Sequence, residues 1–389
     1  MIGSFKSPLQ FLLKDFQRER EEEMGSLSGD MPDDPMIKIL AALPVKSICK
    51  FKAVSKSWES LLSSHHFAIN HSLSTSHSLS LSLHYQKYGS QMFCASSQDI
   101  SDPRSYTKTR FQHQDLCWVA CNNGMVCCLI VSKMGSFFTV ANPLIQTVSI
   151  PISNLEFHVY DFGFYFEPIT LSYKILVNID RKVGAFFIFD SSVGGWRPPR
   201  NETQIQLKAL FMMVCVGSTC YGISSEEQGE RLIMGLEMER EEWESIQTPA
   251  KIVEEGFYKI QERDGRLCLV QVIPDSRAQA QIWVLSEGKK WTQLMNLDLK
   301  QLGWNKLEQS VVGFADFLLF PHLWIDDRLL LGIKLSEEVA FNDLYTSDLQ
   351  VVYNCKSGQF GEIVVDADIS CVLMYKPTLF TCQIEPYGK

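Results

Sequence analysis

The stretch Met31–His71, MPDDPMIKILAALPVKSICKFKAVSKSWESLLSSHHFAINH, decides how the rest of the chain is read. Met36, Ile39, Leu40 and Leu43 fall at i, i+3, i+4 and i+7, which is one face of a helix. Asp30, Asp33 and Asp34 suit its N-cap and its positive end, and Pro32 and Pro35 suit a first turn in which no N–H donor is needed. Pro44 disfavours helical backbone at Leu43 and predicts the end of the helix there. A second short helix carries Ile48 and Phe51, and a third carries the series Val54, Trp58, Leu61 and Leu62. Lys46, Lys50, Lys52 and Lys56 are interleaved and are predicted to face water. Chains below ~40 residues rarely fold unaided, so three such helices call for a partner surface for Trp58 and the leucines.

These residues resemble an F-box, in particular the plant form whose core reads LPxxxxxxILxxLPVKSLxxFxxVxKxWxxLI. The resemblance is carried by Met31-Pro32-Asp33-Asp34, Ile39-Leu40, Leu43-Pro44-Val45-Lys46-Ser47, Phe51 to Trp58 and Leu61-Leu62. The chain departs from the family pattern at Met31, Pro35, Ala42 and Ser55. The resemblance implies docking onto the Skp-family adaptor of an SCF (Skp–cullin–F-box) ubiquitin ligase, and through it onto the cullin and the ring-finger protein. The residues expected at the adaptor face are Pro32, Ile39, Leu40, Leu43, Pro44, Ile48, Val54 and Trp58, because a Trp among clustered aliphatics is a usual interface anchor. The competing reading is a plain three-helix cap on the domain that follows.

Composition narrows the function classes. The 389 residues are 46% hydrophobic and 21% charged, as expected of a globular protein with a real core. A formal net charge of −9 argues against a nucleic-acid surface, which needs a basic stripe. No run of 18 apolar residues is present, and Lys6, Lys14, Asp15 and Arg18 interrupt any signal-peptide core. The expected location is cytoplasm or nucleus, away from membranes. Twelve cysteines include no CxxC pair, so they predict neither zinc nor a disulfide framework but buried thiols acting as small hydrophobes. His65, His66 and His71 lie where the third helix is expected to end, and they are not read as metal ligands.

Read in order, the chain divides into a charged, poorly ordered extension (1–29), the F-box (30–71) and a long all-β region (72–389). Leu79, Leu81 and Leu83 alternate with serines and predict a half-buried strand. From Leu116 onward, short apolar and β-branched runs are separated by Gly, Asn, Asp and Pro turns. A unit of strand, polar turn and large apolar residue recurs, closing at Val148, Trp196, Trp243, Trp291 and Phe360. Three of the intervals are about 48 residues, the length of a four-stranded propeller blade. The longer fourth interval is assigned to extra residues at 300–310 and 337–347. The leftovers, Ser78–Ala95 and Ile369–Cys382, can share a sixth blade that closes the ring and hides its edges. The expected fold is therefore a small all-α, three-helix F-box followed by a six-bladed all-β propeller.

This second region resembles the kelch-type or F-box-associated domain of plant F-box proteins. Cys121-Asn122-Asn123-Gly124-Met125-Val126-Cys127 is similar to that family's CNGLLC element, Asn142-Pro143-Leu144 to its NPLT element, and Asp190 to Trp196 to its D-x-x-x-G-x-W turn. Kelch repeats carry a Gly-Gly doublet in every blade, whereas here Gly194-Gly195 stands in the turn. The tryptophans are read as blade core residues.

No GxGxxG, GxxxxGK[ST], HExxH or GxSxG motif occurs, and paired acids such as Asp326-Asp327 fit turns better than a glycosidase site. No cofactor and no catalytic residue is expected. The two resemblances together imply a non-catalytic substrate receptor: the F-box holds the adaptor, and the propeller holds a target protein for ubiquitination. The target is expected on one rim or in the central mouth of the propeller, where loops cluster, with blade-linking loops around Glu254-Glu255, Arg263-Asp264 and Asp326-Asp327 as candidates. Two other readings stay open. One is an F-box scaffold or inhibitor outside an active ligase. The other is a propeller that senses or acts on a small molecule.

Overall fold

The computed structural model describes residues 35–74, 79–84, 90–95, 107–113, 116–132, 135–145, 147–148, 158–180, 184–200, 209–224, 232–249, 257–273, 279–298, 318–334, 349–361 and 369–381. The expected N-terminal extension, Pro32, Glu254, Glu255 and the two extra segments at 300–310 and 337–347 lie outside them.

The helical region holds four helices rather than three: α1 (Pro35–Ala41), α2 (Val45–Phe51), α3 (Lys56–Leu62) and α4 (His65–Ser74). Pro35 opens α1, where its missing N–H costs no hydrogen bond. Pro44, with φ −59° and ψ 145°, stands in the N-cap position of α2. Ser55 is extended, and its side chain accepts the Trp58 N–H at 3.2 Å, which caps α3. The fourth helix was hidden because His65, His66 and Asn70 give it little amphipathic pattern. Its inner face is Phe67, Ala68 and His71. His71 is buried, and its ring Nε2 lies 3.0 Å from the Leu43 carbonyl, so α4 is tied back to the end of α1. Burial lowers the His71 pKa, in part offset by that carbonyl and assisted by the charge of Lys376.

The rest is a propeller built mainly of strands. Five antiparallel sheets each use four consecutive strands: β4–β7 (Leu116–Asn122, Met125–Ser132, Gly135–Asn142, Thr147–Val148), β8–β11 (Asp161–Glu167, Ser172–Asn178, Phe186–Asp190, Gly195–Arg197), β12–β15 (Leu210–Val216, Thr219–Ser224, Leu232–Glu237, Glu242–Gln247), β16–β19 (Phe257–Arg263, Arg266–Ile273, Gln279–Leu285, Trp291–Asp298) and β20–β23 (Leu318–Ile325, Arg328–Lys334, Leu349–Asn354, Gln359–Phe360). The recurring polar turns of the sequence are the turns before the fourth strand of each sheet. A further sheet, in the order β24-β1-β2-β3, joins the two ends of the described β region: β24 (Ile369–Tyr375) pairs antiparallel with β1 (Leu79–His84), followed by β2 (Ser90–Ala95) and β3 (Thr107–His113). The first strands of successive sheets meet one another, β4 with β8, β8 with β12, β12 with β16, β16 with β20, β20 with β24, and β24 with β4 again.

Side chains fasten several of these sheets to their neighbours by gripping the neighbour's main chain. Asn122 Oδ1 accepts the Phe166 N–H (3.1 Å), and Asn123 Nδ2 donates to the Phe166 carbonyl (2.9 Å). Asn178 Nδ2 donates to the Leu210 carbonyl (3.2 Å). Gln261 accepts the Trp324 N–H and donates to the Trp324 carbonyl, at 2.9 and 2.7 Å. Asn142, which is fully buried, donates to the Thr378 and Phe380 carbonyls (3.0 and 2.9 Å) and accepts from Tyr375 Oη (3.2 Å) and the Leu144 N–H (3.2 Å). The elements that resemble CNGLLC and NPLT are therefore junction elements. Gly124 belongs to the same junction: at φ +75° it faces Thr378 and the Lys376 carbonyl so closely that a Cβ would collide with both.

A charged junction joins the second and third of these sheets. Glu241, in the β14–β15 turn, has a side chain with no exposed area. Its carboxylate accepts a two-pronged bond from Arg197, a bond from Lys174 Nζ (3.2 Å) and the Arg200 N–H (2.8 Å). Burial alone would raise this carboxyl; the bonds from Arg197, Arg200 and Lys174 outweigh it and hold the pKa at about 2.

The helical region is not a separate globule. Ile37, Leu40, Val45, Ile48, Trp58, Leu62 and Phe67 share one apolar cluster with propeller residues including Met125, Phe138, Phe166, Leu379 and Phe380. The partner surface that the helices need is largely the propeller itself. Among the described residues, no helix is long and apolar enough to cross a membrane. Eight described cysteines are unpaired, and five of the eight are buried, with thiol pKa values pushed up by burial at Cys128 and Cys268.

Two outcomes test this account. Asn142→Leu keeps the volume but strands two buried carbonyls, each costing about 1–3 kcal/mol. It should lower the melting temperature and expose residues 376–381 to protease, and unchanged proteolysis would remove Asn142 from ring closure. Glu241→Gln should destabilise the fold by about 2–3 kcal/mol. Because the folded-state pKa lies below the ordinary 4.5, that stabilisation is complete above pH about 4.5 and is lost as pH falls toward 2. Chemical denaturation of both proteins across that window should show the gap closing.

Candidate functional site

Three surfaces are candidates. The first is the outer face of the helical region. The expected adaptor residues separate into two groups. Ile39 (66% exposed), Val54 (58% exposed) and Pro44 face solvent, and Leu43 is half-buried. Leu40, Ile48 and Trp58 are buried and form the internal core of the helices, with Phe51 packed edge-on to Trp58 at 5.8 Å between ring centres. In this chain these three offer little area at the surface of the helical region. The inward face of α1 is Ile37, Leu40 and Ala41, displaced from the Met36–Ile39–Leu40–Leu43 series of the sequence reading. Two overlapping i, i+3, i+4 sets exist in that helix, and hydrophobicity alone does not choose between them. Lys46, Lys50 and Lys56 are exposed as expected, and Lys52 is half-buried.

The second surface is the rim that carries the hairpin turns between the first and second strands. Arg263, Asp264, Asp326 and Asp327 lie there, inside single blades, and not in blade-linking loops as expected. The reason is local: Asp264-Gly265 takes φ +51° and +73°, and Asp326 takes +50°, the left-handed pairing of tight hairpins. The side chains are partly committed. The Arg263 guanidinium stacks 3.6 Å over the Trp324 ring and lies 3.5 Å from Asp264. Asp327 pairs with Lys356 at 3.3 Å, which lowers its pKa. The helical region rests on this same rim: His65 Nε2 lies 2.7 Å from the Pro168 carbonyl, in the β8–β9 turn.

The third is a central cavity of about 500 Å³, walled by the first strands of all six sheets. Ala120, Phe162, Val214, Lys259, His322 and Met374 represent one strand each. His322 sits at a bulge in β20, where the register shifts between Pro321 and Leu323. It is buried, and burial followed by the nearby charge of Lys259 depresses its pKa to about 3, so it is neutral at physiological pH. The sequence points to a central mouth but not to these lining residues, because the walls come from strands more than 250 residues apart. Among the described residues no cluster of His, Cys, Asp and Glu is arranged to hold a metal ion.

Comparison with known proteins gives these surfaces a context. Residues 79–317 match the F-box associated beta propeller domain, and residues 29–70 match the F-box domain. An F-box/kelch-repeat protein of Arabidopsis thaliana is 23% identical over 367 residues, covering 88% of this chain and 92% of its own length. Two further Arabidopsis thaliana sequences, an F-box protein (22% identical, 72% of this chain and 73% of its own length) and a putative F-box protein (25% identical, 87% and 76%), are similar over most of the chain. The propeller match alone spans more than half of the sequence, and the chain belongs to the F-box-associated beta-propeller family, with an F-box ahead of the propeller.

Proposed function

We propose that this chain is the substrate-recognition subunit of an SCF-type ubiquitin ligase, with the F-box docking a Skp-family adaptor and the propeller holding a target protein. The observation that carries the reading is the two-sided F-box: its inner face shares a core with the propeller, while Ile39, Pro44 and Val54 remain exposed beside a set of solvent-facing lysines. Exposed aliphatics on a helical module are costly to leave in water and are the natural contact for an adaptor. The chain performs no bond chemistry; cullin and ring-finger protein join through the adaptor, and proximity raises the effective concentration of target lysines. Cytoplasm or nucleus is the location this role requires.

The ring is read as six kelch-like blades, supported by the cyclic meeting of the first strands and by the pairing of β24 with β1. The target is assigned to the rim opposite the F-box, the end of the sheets away from the hairpin turns between first and second strands. The turn residues Arg263, Asp264, Asp326 and Asp327 are assigned to blade structure.

Co-expression with a Skp-family adaptor, followed by gel filtration and mass analysis, tests the reading. Wild type should elute at one-to-one with adaptor. Ile39→Asp with Val54→Asp should abolish co-elution and leave the melting temperature unchanged, whereas Trp58→Ala should lower it. An unaltered complex in the double variant sinks the contact assignment. A wild-type chain that stays alone sinks the receptor reading. Adaptor binding without recruitment of cullin and ring-finger protein would favour a scaffold outside a ligase.

A further inference from the structure

We infer that the central cavity is a binding site for a small amphipathic anion, an apolar ring or chain bearing one carboxylate, with Lys376 as the anchor of the charge. The inference stands apart from adaptor docking and is tested without it.

The cavity has the size at which proteins enclose small ligands, about 300–1,000 Å³. Its wall is mainly apolar, with Trp118, Phe162, Met212 and Met374 among its residues. Most of its polar groups are already used by the fold. Both oxygens of Asp161 accept main-chain donors, from Phe162 and Met212. Both ends of the Gln261 amide are held by Trp324. The Cys121 thiol donates to the Met374 carbonyl at 2.7 Å.

Lys376 differs. It follows β24, is half-buried, and lines the cavity at the end nearest the F-box. It makes no hydrogen bond or ion pair among the described residues, although its charge is felt by both Glu262 and His71. An ammonium held in a mostly apolar enclosure is stabilised best by an anion that enters with it. Glu262 shares the cavity and accepts the Gly265 N–H at 2.7 Å. Burial, with a contribution from Asp264, pushes its carboxyl above the ordinary range, which eases the approach of a second carboxylate. The neutral His322 adds no opposing charge. The apolar wall would take the body of the ligand and Lys376 its head group.

The test uses the full chain, with 1-pyrenebutyrate as the anionic probe and 1-pyrenebutanol as its neutral counterpart, followed by fluorescence titration and thermal unfolding. Wild type should bind the carboxylate one-to-one and melt several degrees higher at about 100 times Kd. The alcohol should bind at least about tenfold more weakly. Lys376→Met keeps the aliphatic stem and should erase that difference, Lys376→Arg should restore it, and Glu262→Gln should tighten the carboxylate. The melting temperature of each free variant shows whether its fold is intact. Absence of saturable binding overturns the site. Equal affinity for the two probes, or carboxylate binding untouched in Lys376→Met, overturns the anion anchor.

Discussion

The carboxamide of Asn142 is the contact on which the assembly of this chain depends. Buried and with all four bonds made, it donates across the ring seam to the carbonyls of Thr378 and Phe380 and accepts from Tyr375 of the same segment, while also accepting from Leu144 on its own side. Residues 376–380 follow the last strand and have no ladder of their own. Without Asn142 their carbonyls would sit in an apolar site unsatisfied. With it, Leu379 and Phe380 are delivered into the cluster that also receives α1 to α4. One side chain therefore couples three events: closing the ring, burying the tail and seating the F-box.

The same device recurs because propeller geometry demands it. Neighbouring blades face one another through side chains and share no continuous hydrogen-bond ladder, so the main-chain groups at blade junctions need partners from across the gap. Asn122 accepts, Asn123 and Asn178 donate, and the Gln261 amide does both at once. Between the second and third sheets the fold adds ions to the Asn178 amide, where Arg197 and Lys174 meet Glu241. An ion pair of this kind adds little net stability over an apolar contact, but it tolerates no substitution of one partner alone. It fixes the register of two blades more than it strengthens them.

These facts explain what could be read in the sequence. The spacing from Val148 to Trp291 revealed the blades because each ends in the same turn, and Asp190 shows the turn's chemistry: its Oδ1 accepts both the N–H and the hydroxyl of Ser192 while Gly194 takes φ +79°. Alternation at Leu79, Leu81 and Leu83 revealed β1 for the same local reason. Non-local features were hidden. Asn122 and Asn142 stood out as motif residues, yet nothing along the chain says that their partners are Phe166 and Phe380. The burial of Trp58 and the exposure of Ile39 depend on where the propeller lies. The fourth helix escaped notice because it is defined by His71 reaching Leu43 rather than by an apolar stripe. The cavity is assembled from strands so distant that no window of sequence contains it.

A shared core has a mechanical consequence. An F-box joined to its receptor domain by a flexible linker would let the target sample many distances from the adaptor, and the gain in effective concentration would fall with the reach of the linker. Here α1 to α4 pack on the rim of hairpin turns, and Phe166, Leu379 and Phe380 lie within their core. Tilting the F-box would open that core and expose several large apolar side chains, at about 1.5–3 kcal/mol each. The exposed face of the helical region is thus held at a set angle to the propeller axis. Anything held at the opposite rim is presented at a fixed height above it. The tail that closes the ring also sets that angle, so a change at Lys376 lies within reach of both the cavity and His71 of α4.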